Sequence, residues 1–249
     1  MLPPLEGIIA RRVLLNFRAD PTVVQRWIPQ PLQVATQNGY AVVGVCLIRL
    51  ECLRPKGLPA GLGMASENMA HRVAVRFPTP DGVREGVYVW RRDTDRTLVA
   101  LLGGRLFPGV HRLAAFQVAE GNGCLGVSVL TENRRADVSF DSGYPGRWRG
   151  TPLFGDMDEA SQFFERGDCG FSSRLRGGGL EGMWLRSLRW DMIPLFVRRV
   201  RTAFFEDPER FPRGSVEFDC ALLMRGIPHD WHPLSDVPGL ESVAAGKRR

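Results

Sequence analysis

Two short stretches of the sequence hold polar side chains at a density that a packed core does not require. The first stretch contains Glu67, Asn68, His71 and Arg72. The second contains Arg105, His111 and Arg112, with a double glycine and a proline around Arg105. A guanidinium group binds anions through paired hydrogen bonds, and a carboxylate or an imidazole can move protons. The two stretches therefore predict an anion anchor beside an acid/base pair, with Glu67, Arg105 and His111 as the catalytic candidates.

Each of these residues also has a structural explanation. Glu67 and Arg105 could form an ordinary ion pair, and His111 could cap the end of a strand. The sequence leaves both explanations open.

Other familiar sites are missing from the sequence. His229 and His232 have the spacing of a metal pair, but Trp231 and Pro233 prevent a helical zinc site there. The sequence has no Gly-x-Ser-x-Gly nucleophile elbow and no Gly-x-x-x-x-Gly-Lys phosphate loop. We therefore expect no metal and no cofactor.

The charge of the chain is basic, with a formal net charge of +6 and only two lysines, Lys56 and Lys247, among 33 basic residues. Nucleic-acid binding needs clustered positive charge. Here the arginines are scattered in pairs along strand-like segments, so we expect no nucleic-acid partner.

Cysteine usage and hydropathy indicate the compartment. Five cysteines, an odd number without C-x-x-C spacing, are typical of reduced thiols. No window approaches 18 uncharged apolar residues, and the N-terminus lacks the pattern of a signal peptide. We expect a soluble cytoplasmic protein without a membrane partner.

The elements that must position these residues are mostly strands. Short apolar segments punctuated by glycine and proline predict strands at Ile8 to Phe17, Ala41 to Leu50, His71 to Phe77, Gly86 to Arg92, Leu113 to Ala119, Leu125 to Leu130, Ala136 to Phe140 and Val216 to Met224. Turns are predicted at Asn38-Gly39, Pro80-Asp81-Gly82 and Gly121-Asn122-Gly123. Helices are predicted at Pro21 to Trp27, Asp95 to Leu102 and Asp156 to Arg166. Since most successive strands lack an intervening helix, the sheet should be mainly antiparallel.

A resemblance to a known family rests on four segments in matching order over roughly residues 8 to 232. They are Phe17 to Pro21 with Ile28 to Leu32, Glu67 leading a strand, Leu101 to Arg112, and Asp219 to Trp231. The chain resembles the acetoacetate decarboxylase-like superfamily, and most closely its uncharacterised YqjF-like branch. The resemblance implies an α+β, β-rich fold, in which a strongly curved antiparallel sheet forms a cone or barrel with a few short outer helices and a central pocket. We expect one domain over residues 1–234 and a loose tail over 235–249.

In that superfamily the decarboxylase uses a lysine of lowered pKa, which attacks the substrate's oxo group and forms a Schiff base. Its motif is Gly-Arg-Glu followed by Pro-Lys-Lys. This chain has Leu106 in place of the glutamate, and the lysine positions fall near Arg112 and Leu113. A guanidinium stays protonated and cannot form an imine. Lys56 lies in a polar proline-glycine loop, so we do not expect Schiff-base decarboxylation.

The resemblance carries Glu67 over as the active-site glutamate and places Arg11 or Arg12 near an arginine that holds substrate carboxylate. We therefore expect a cofactor-free acid/base enzyme, of lyase, hydratase, tautomerase or cyclase type, acting on a small oxo- or carboxylate-containing metabolite. The expected substrate-binding residues are Arg112, Arg72, Arg12, Tyr88 and Trp90. The alternative is a non-catalytic small-molecule-binding protein that retains the pocket. Superfamily members commonly associate, which leaves a homo-oligomer open.

Overall fold

The computed structural model describes residues 4–102, 109–131, 136–144, 146–174 and 179–234. Its strands are β1 Leu5–Ala19, β2 Gln33–Val34, β3 Thr36–Gln37, β4 Tyr40–Pro55, β5 Met64–Thr79, β6 Gly82–Thr94, β7 His111–Leu113, β8 Ala115–Gly121, β9 Cys124–Leu130, β10 Ala136–Gly143, β11 Cys169–Ser173, β12 Leu180–Ser187, β13 Ile193–Thr202 and β14 Val216–Leu234. Its helices are α1 Pro21–Gln25, α2 Thr97–Leu102 and α3 Met157–Arg166, with a short 3₁₀ helix, η1, at Ala60–Leu62.

Seven strands form a closed hydrogen-bonded ring. The order is β1, β4, β5, β6, β11, β12 and β14, and β14 pairs with β1 to complete the circle. All of these pairings are antiparallel except that between β6 and β11, which is parallel. The curved, mainly antiparallel barrel expected from the sequence is confirmed, and the parallel pairings of β6 with β11 and with β7 make the sheet mixed.

A second group of strands branches from the ring. β13 pairs with β14 through Ile193–Leu195, and β10, β9 and β8 follow in that order. Apolar side chains of this branch, including Val127, Val129 and Phe140, pack against the ring in one hydrophobic cluster. Burying these side chains together is the main source of stability for such a two-layer arrangement.

The ring strands have two differently occupied faces, because successive side chains of a strand point to opposite sides. The sandwich face carries Val13, Val45 and Val73, which pack on the second group of strands. The cavity face carries Leu14, Cys46 and Ala74, which pack on α3 through Phe163 and Phe164. Every polar residue of β1, β4, β5 or β6 therefore belongs to one of two separate environments.

Local sequence signals explain the helices and turns. Asp20 caps α1 by accepting from the amides of Thr22 and Val23, and Asp156 caps α3 by accepting from the amide of Glu159. Asn38 and Gly39 both have positive φ, at 49° and 82°, in the tight turn between β3 and β4. The predicted helices and the Asn38-Gly39 turn are confirmed, with ends shifted by a few residues.

Six of the fourteen described strands were not predicted: the short strands β2, β3 and β7, and the strands β11, β12 and β13. β11, β12 and β13 contain serine, glycine and arginine in place of a clean apolar alternation. They complete the ring and link it to the second group of strands, so their pairing depends on partners distant in the chain.

The described residues contain no helix that is long and apolar enough to span a membrane. The predicted tail over 235–249 lies outside the described residues.

Candidate functional site

A cavity of about 80 Å³ lies on the cavity face of β4, β5 and β6. A void needs roughly 10 to 15 Å³ on this measure for each water molecule, so the cavity has room for about five water-sized atoms or a small metabolite. Its polar lining includes Ser66, Asn68, Arg92 and His111. Its apolar wall includes Cys46, Ile48, Leu50, Val99 and Trp231.

Strand register brings the polar residues together. On β5, Ser66 and Asn68 alternate with Glu67 and so share the cavity face, where the amide of Asn68 donates to Ser66 Oγ at 2.8 Å. Arg92 lies opposite Ala70 on β5 and opposite His111 on β7. The parallel pairing of β6 with β7 thus places a guanidinium and an imidazole next to each other in the cavity wall.

Arg92 is the cationic group of this cavity. Its Nε donates to Ser172 Oγ at 3.3 Å. Within the described part of the chain, no carboxylate oxygen lies within 4.0 Å of its guanidinium. Burial lowers the pKa of Arg92 to about 10, so the group stays charged at neutral pH. A partly buried guanidinium with no carboxylate at ion-pair distance, on which Glu181 acts only at longer range, favours an anionic ligand.

His111 is neutral at physiological pH. Burial, followed by the charge of Arg92, lowers the pKa of His111 to about 4. Its Nδ1 lies 3.2 Å from the carbonyl oxygen of Gly109. Because a carbonyl only accepts, Nδ1 carries the proton in this contact and Nε2 is the basic nitrogen.

The position of His111 depends on Gly109. Gly109 has φ of 77°, and a Cβ at this position would lie 2.8 Å from Ser172 Cβ. Only glycine adopts this conformation without strain. The Gly109 amide also donates to the carboxylate of Glu181, which fixes the chain just before β7.

Glu67 lies on the sandwich face, on the side of β5 opposite the cavity. Both of its carboxylate oxygens accept from Arg11 Nη2, at 2.9 and 2.8 Å. Arg49 adds a second guanidinium at 3.9 Å. Burial raises the pKa of Glu67, and Arg11 opposes that rise. The structure therefore does not bring Glu67 and His111 together.

Arg112 also belongs to the sandwich face, where it lies in register with Asp93. A buried cluster occupies this place: Arg91 binds Asp93 at 2.7 Å and Asp137 at 2.8 Å, with the imidazole of His71 close by. One carboxylate oxygen from each aspartate and one ring nitrogen of His71 lie within 4.8 Å of one another, close enough to bind a single metal ion. Burial, Arg91 and Arg210 lower the pKa of His71 to about 3. Positive charge that repels a proton also repels a metal ion, so this cluster is best explained as an ion-pair network bridged by Arg91.

Tyr88 and Trp90 lie in the packed core. The hydroxyl of Tyr88 is 2.8 Å from Ser173 Oγ, and Trp90 Nε1 donates to the carbonyl of Trp27 at 2.9 Å. Trp90 packs on the rings of Phe204, Phe205 and Phe211. Neither side chain lines the cavity.

Arg12 and Arg72 lie on the cavity face, but they line a void that is separate from the cavity and smaller than it.

Lys56 pairs with Asp230 at 3.0 Å, with its side chain 44% exposed, and does not line the cavity. Arg105 lies outside the described residues. Arg92 was not among the predicted site residues, because a register shift between β5 and β6 at His71 and Arg72 changes whether Arg91 or Arg92 faces the cavity.

The comparisons with known proteins agree with this architecture. The acetoacetate decarboxylase of Legionella pneumophila is similar, with 14% identity and a TM-score of 0.63 over 94% of this chain and 88% of that one. An acetoacetate decarboxylase-like enzyme from Sphingomonas wittichii RW1 has 15% identity and a TM-score of 0.58 over 93% and 92% of the two chains. The enduracididine biosynthesis enzyme MppR, complexed with pyruvate, has 11% identity and a TM-score of 0.64 over 96% and 93%.

At these identities the likeness shows a shared fold, and the fold is acetoacetate decarboxylase-like. A search of the curated proteins finds no match. The family resemblance inferred from the sequence is confirmed by a direct match. The DUF2071 family, described as an uncharacterized conserved protein, matches residues 9–167, more than half of the chain, and the chain therefore belongs to that family.

Proposed function

We propose that this protein is a cofactor-free acid/base enzyme that holds a small oxo- or carboxylate-containing metabolite in the cavity beside Arg92 and His111. The observation that supports the proposal is the guanidinium of Arg92, which has no carboxylate partner among the described residues and lies in register with a neutral histidine. MppR binds pyruvate in the same fold, and the cavity here has room for a molecule of that size.

Arg92 would bind the carboxylate or the developing oxyanion of the metabolite. A buried guanidinium stabilises negative charge more strongly than one in water, because solvent screens it less. Asn68 and Ser66 supply further hydrogen-bonding groups on the neighbouring strand.

His111 would accept and return a proton through Nε2. Its pKa of about 4 makes it a weak base while the cavity holds no anion. A carboxylate beside Arg92 offsets the positive charge that lowers this pKa, and so makes His111 more basic when the metabolite is bound. Tautomerisation, hydration, dehydration and cyclisation need only such a proton-transfer group beside an anion-binding group.

Schiff-base chemistry forms no part of the proposal. It needs an amine near the bound oxo group. Lys56 pairs with Asp230 and does not line the cavity, and the resemblance places the family's lysine positions near Arg112 and Leu113, neither of which offers an amine.

One observation favours the alternative of a non-catalytic binding protein. Glu67, which the resemblance assigns as the active-site glutamate, is held by both oxygens on Arg11 on the opposite face of β5. If proton transfer requires Glu67 in contact with the metabolite, the cavity binds without reaction.

The test is hydrogen exchange at carbon. The protein is incubated with pyruvate and with a panel of 2-oxo and 3-oxo acids in deuterated water, and the loss of the α-proton signals is followed by NMR. We expect saturable exchange above the rate without protein. General base catalysis typically contributes a hundredfold or more, so His111→Gln should lower the exchange rate about that much. Arg92→Gln should raise the half-saturating concentration.

Lys56→Gln is the control and should exchange at the rate of the unaltered protein, with no borohydride-trapped adduct in either. Saturable binding without exchange would support the binding protein instead. Absence of both binding and exchange across the panel, or full activity of Arg92→Gln, would overturn the site.

A further inference from the structure

A second void, of about 20 Å³, lies between Arg12 of β1 and Arg72 of β5. The rings of Phe163 and Phe164 from α3 cover it. A single water needs roughly 10 to 15 Å³ on this measure, so the void admits one water or one ion of similar size.

Arg72 is buried without a compensating charge. Its Nη2 donates to Asn16 Oδ1 at 2.7 Å, and its guanidinium lies 5.1 Å from the ring centre of Phe164. Its Nε is buried and has no hydrogen-bond partner. Across the described ranges, no carboxylate oxygen lies within 4.0 Å of this guanidinium.

Arg12 is partly buried and also lines a neighbouring pocket of about 180 Å³. Its Nη1 has one weak contact, at 4.0 Å from Met224 Sδ, and its Nε is also buried and without a partner. Burial, with a smaller contribution from the charge of Arg12, lowers the pKa of Arg72 to about 10, so Arg72 stays charged at neutral pH. The two guanidinium groups therefore place like charges along one small void.

The neighbouring acids do not neutralise this pair. Glu85 lines the void, but its carboxylate binds Arg166 at 3.0 Å and lies 3.9 Å from Arg76. Burial raises the pKa of the nearby Cys220 thiol, which therefore stays uncharged. Two buried donors and two unbalanced positive charges face a space of monatomic size.

We propose that Arg12 and Arg72 bind a small monovalent inorganic anion of the halide class. The anion would accept from the two Nε–H groups and neutralise their mutual repulsion. The size of the void excludes carboxylates, which have at least three heavy atoms. This site is distinct from the cavity of Arg92, and the proposal does not depend on the proposed function.

The experiment measures the thermal midpoint of the full chain against bromide concentration, with ionic strength held constant by gluconate. An anion that binds only the folded state raises the midpoint saturably. We expect saturable responses to bromide and chloride, and none to acetate. Arg72→Gln should need at least tenfold more bromide for half of the effect, and Arg12→Gln should behave in the same way.

The matched control is Arg199→Gln, which removes an exposed arginine from β13 and should keep the full bromide response. Arg92→Gln should keep it as well, which separates this site from the metabolite cavity. A crystal soaked in bromide should show an anomalous peak between Arg12 and Arg72, and this readout needs no variant to fold. A bromide response that Arg72→Gln retains, equal responses to bromide and acetate, or a peak only at surface positions would overturn the proposal.

Discussion

Arg92 and His111 lie directly opposite each other on the parallel strands β6 and β7. Both residues line the cavity, where their partial burial weakens the screening by water, so burial and the charge of Arg92 together lower the pKa of His111. The pair couples anion binding to proton affinity, because an anion that binds Arg92 raises the pKa of His111.

The first prediction follows from this coupling. The pKa of His111 should rise from about 4 toward the ordinary histidine value when an oxo acid binds, because the ligand's negative charge offsets that of Arg92. The measurement is an NMR titration of the imidazole carbon protons with and without saturating ligand. In Arg92→Gln the pKa should already be higher without ligand. An identical titration curve in all three samples would contradict the coupling.

The second prediction concerns the ion pair between Glu67 and Arg11. Glu67→Gln leaves the buried Arg11 with Glu120, at 3.3 Å, as its one charged partner among the described residues. Breaking a buried pair in this way costs about 3 to 5 kcal/mol of the free energy of unfolding, measured by urea denaturation. Glu206→Gln, which breaks an exposed pair with Arg201, is the control and should cost less than about 1 kcal/mol.

The same variant tests the placement of Glu67. If the reacting site is the cavity, folded Glu67→Gln should exchange α-protons at an unchanged rate per folded molecule. A folded variant that has lost exchange would show that Glu67 reaches the metabolite after all.

The third prediction concerns pH. Burial lowers the pKa of His71 to about 3, against 6.5 in the unfolded chain, so the unfolded state binds more protons between these values. Stability from this group is complete above pH 6.5 and decreases as pH falls toward 3. At pH 5 the loss is about 2 kcal/mol.

His71→Phe keeps an aromatic ring against Phe204 and Phe205 and removes the titrating group. Urea unfolding at pH 8 and pH 5 should show a smaller loss of stability in this variant than in the unaltered protein. Equal losses would mean that His71 does not titrate as its burial requires.

The fourth prediction concerns Gly109. Gly109→Ala forces a side chain into positive φ and against Ser172, at a cost of about 2 kcal/mol, and it shifts His111. We expect lower stability and a larger fractional loss of α-proton exchange. Gly61→Ala, where a Cβ would meet nothing within 4 Å, should change neither quantity.

The fifth prediction concerns the thiols, all five of which are unpaired. Cys46, Cys169 and Cys220 are buried, and burial raises the pKa of Cys169 to about 12, so these three should resist alkylation in the folded protein. Mass spectrometry after brief iodoacetamide treatment should find label at Cys52 and Cys124 only. Labelling in urea should reach all five.

Much of the fold follows from local signals in the sequence. Asp20 and Asp156 cap helices where their side chains meet free amides, and Asn38-Gly39 adopts the positive φ angles of a tight turn. The long strands β1, β4 and β5 follow from runs of apolar residues. β11, β12 and β13 have weak apolar alternation. They are held as strands by their pairing with β6 and β14, which are distant in the chain.

The sequence by itself determined which chemistry the chain can attempt. Arginine and glutamate are plentiful, whereas only Lys56 and Lys247 could supply the amine that an imine requires.

Only the tertiary structure decided which of these residues meet. In a strand, a shift of one residue moves a side chain to the other face, and the register shift between β5 and β6 turns Arg92 toward the cavity while Arg91 pairs with Asp93 and Asp137. Glu67 faces away from His111 for the same reason. Pairing across distant strands decides the register, and no local pattern of residues records it.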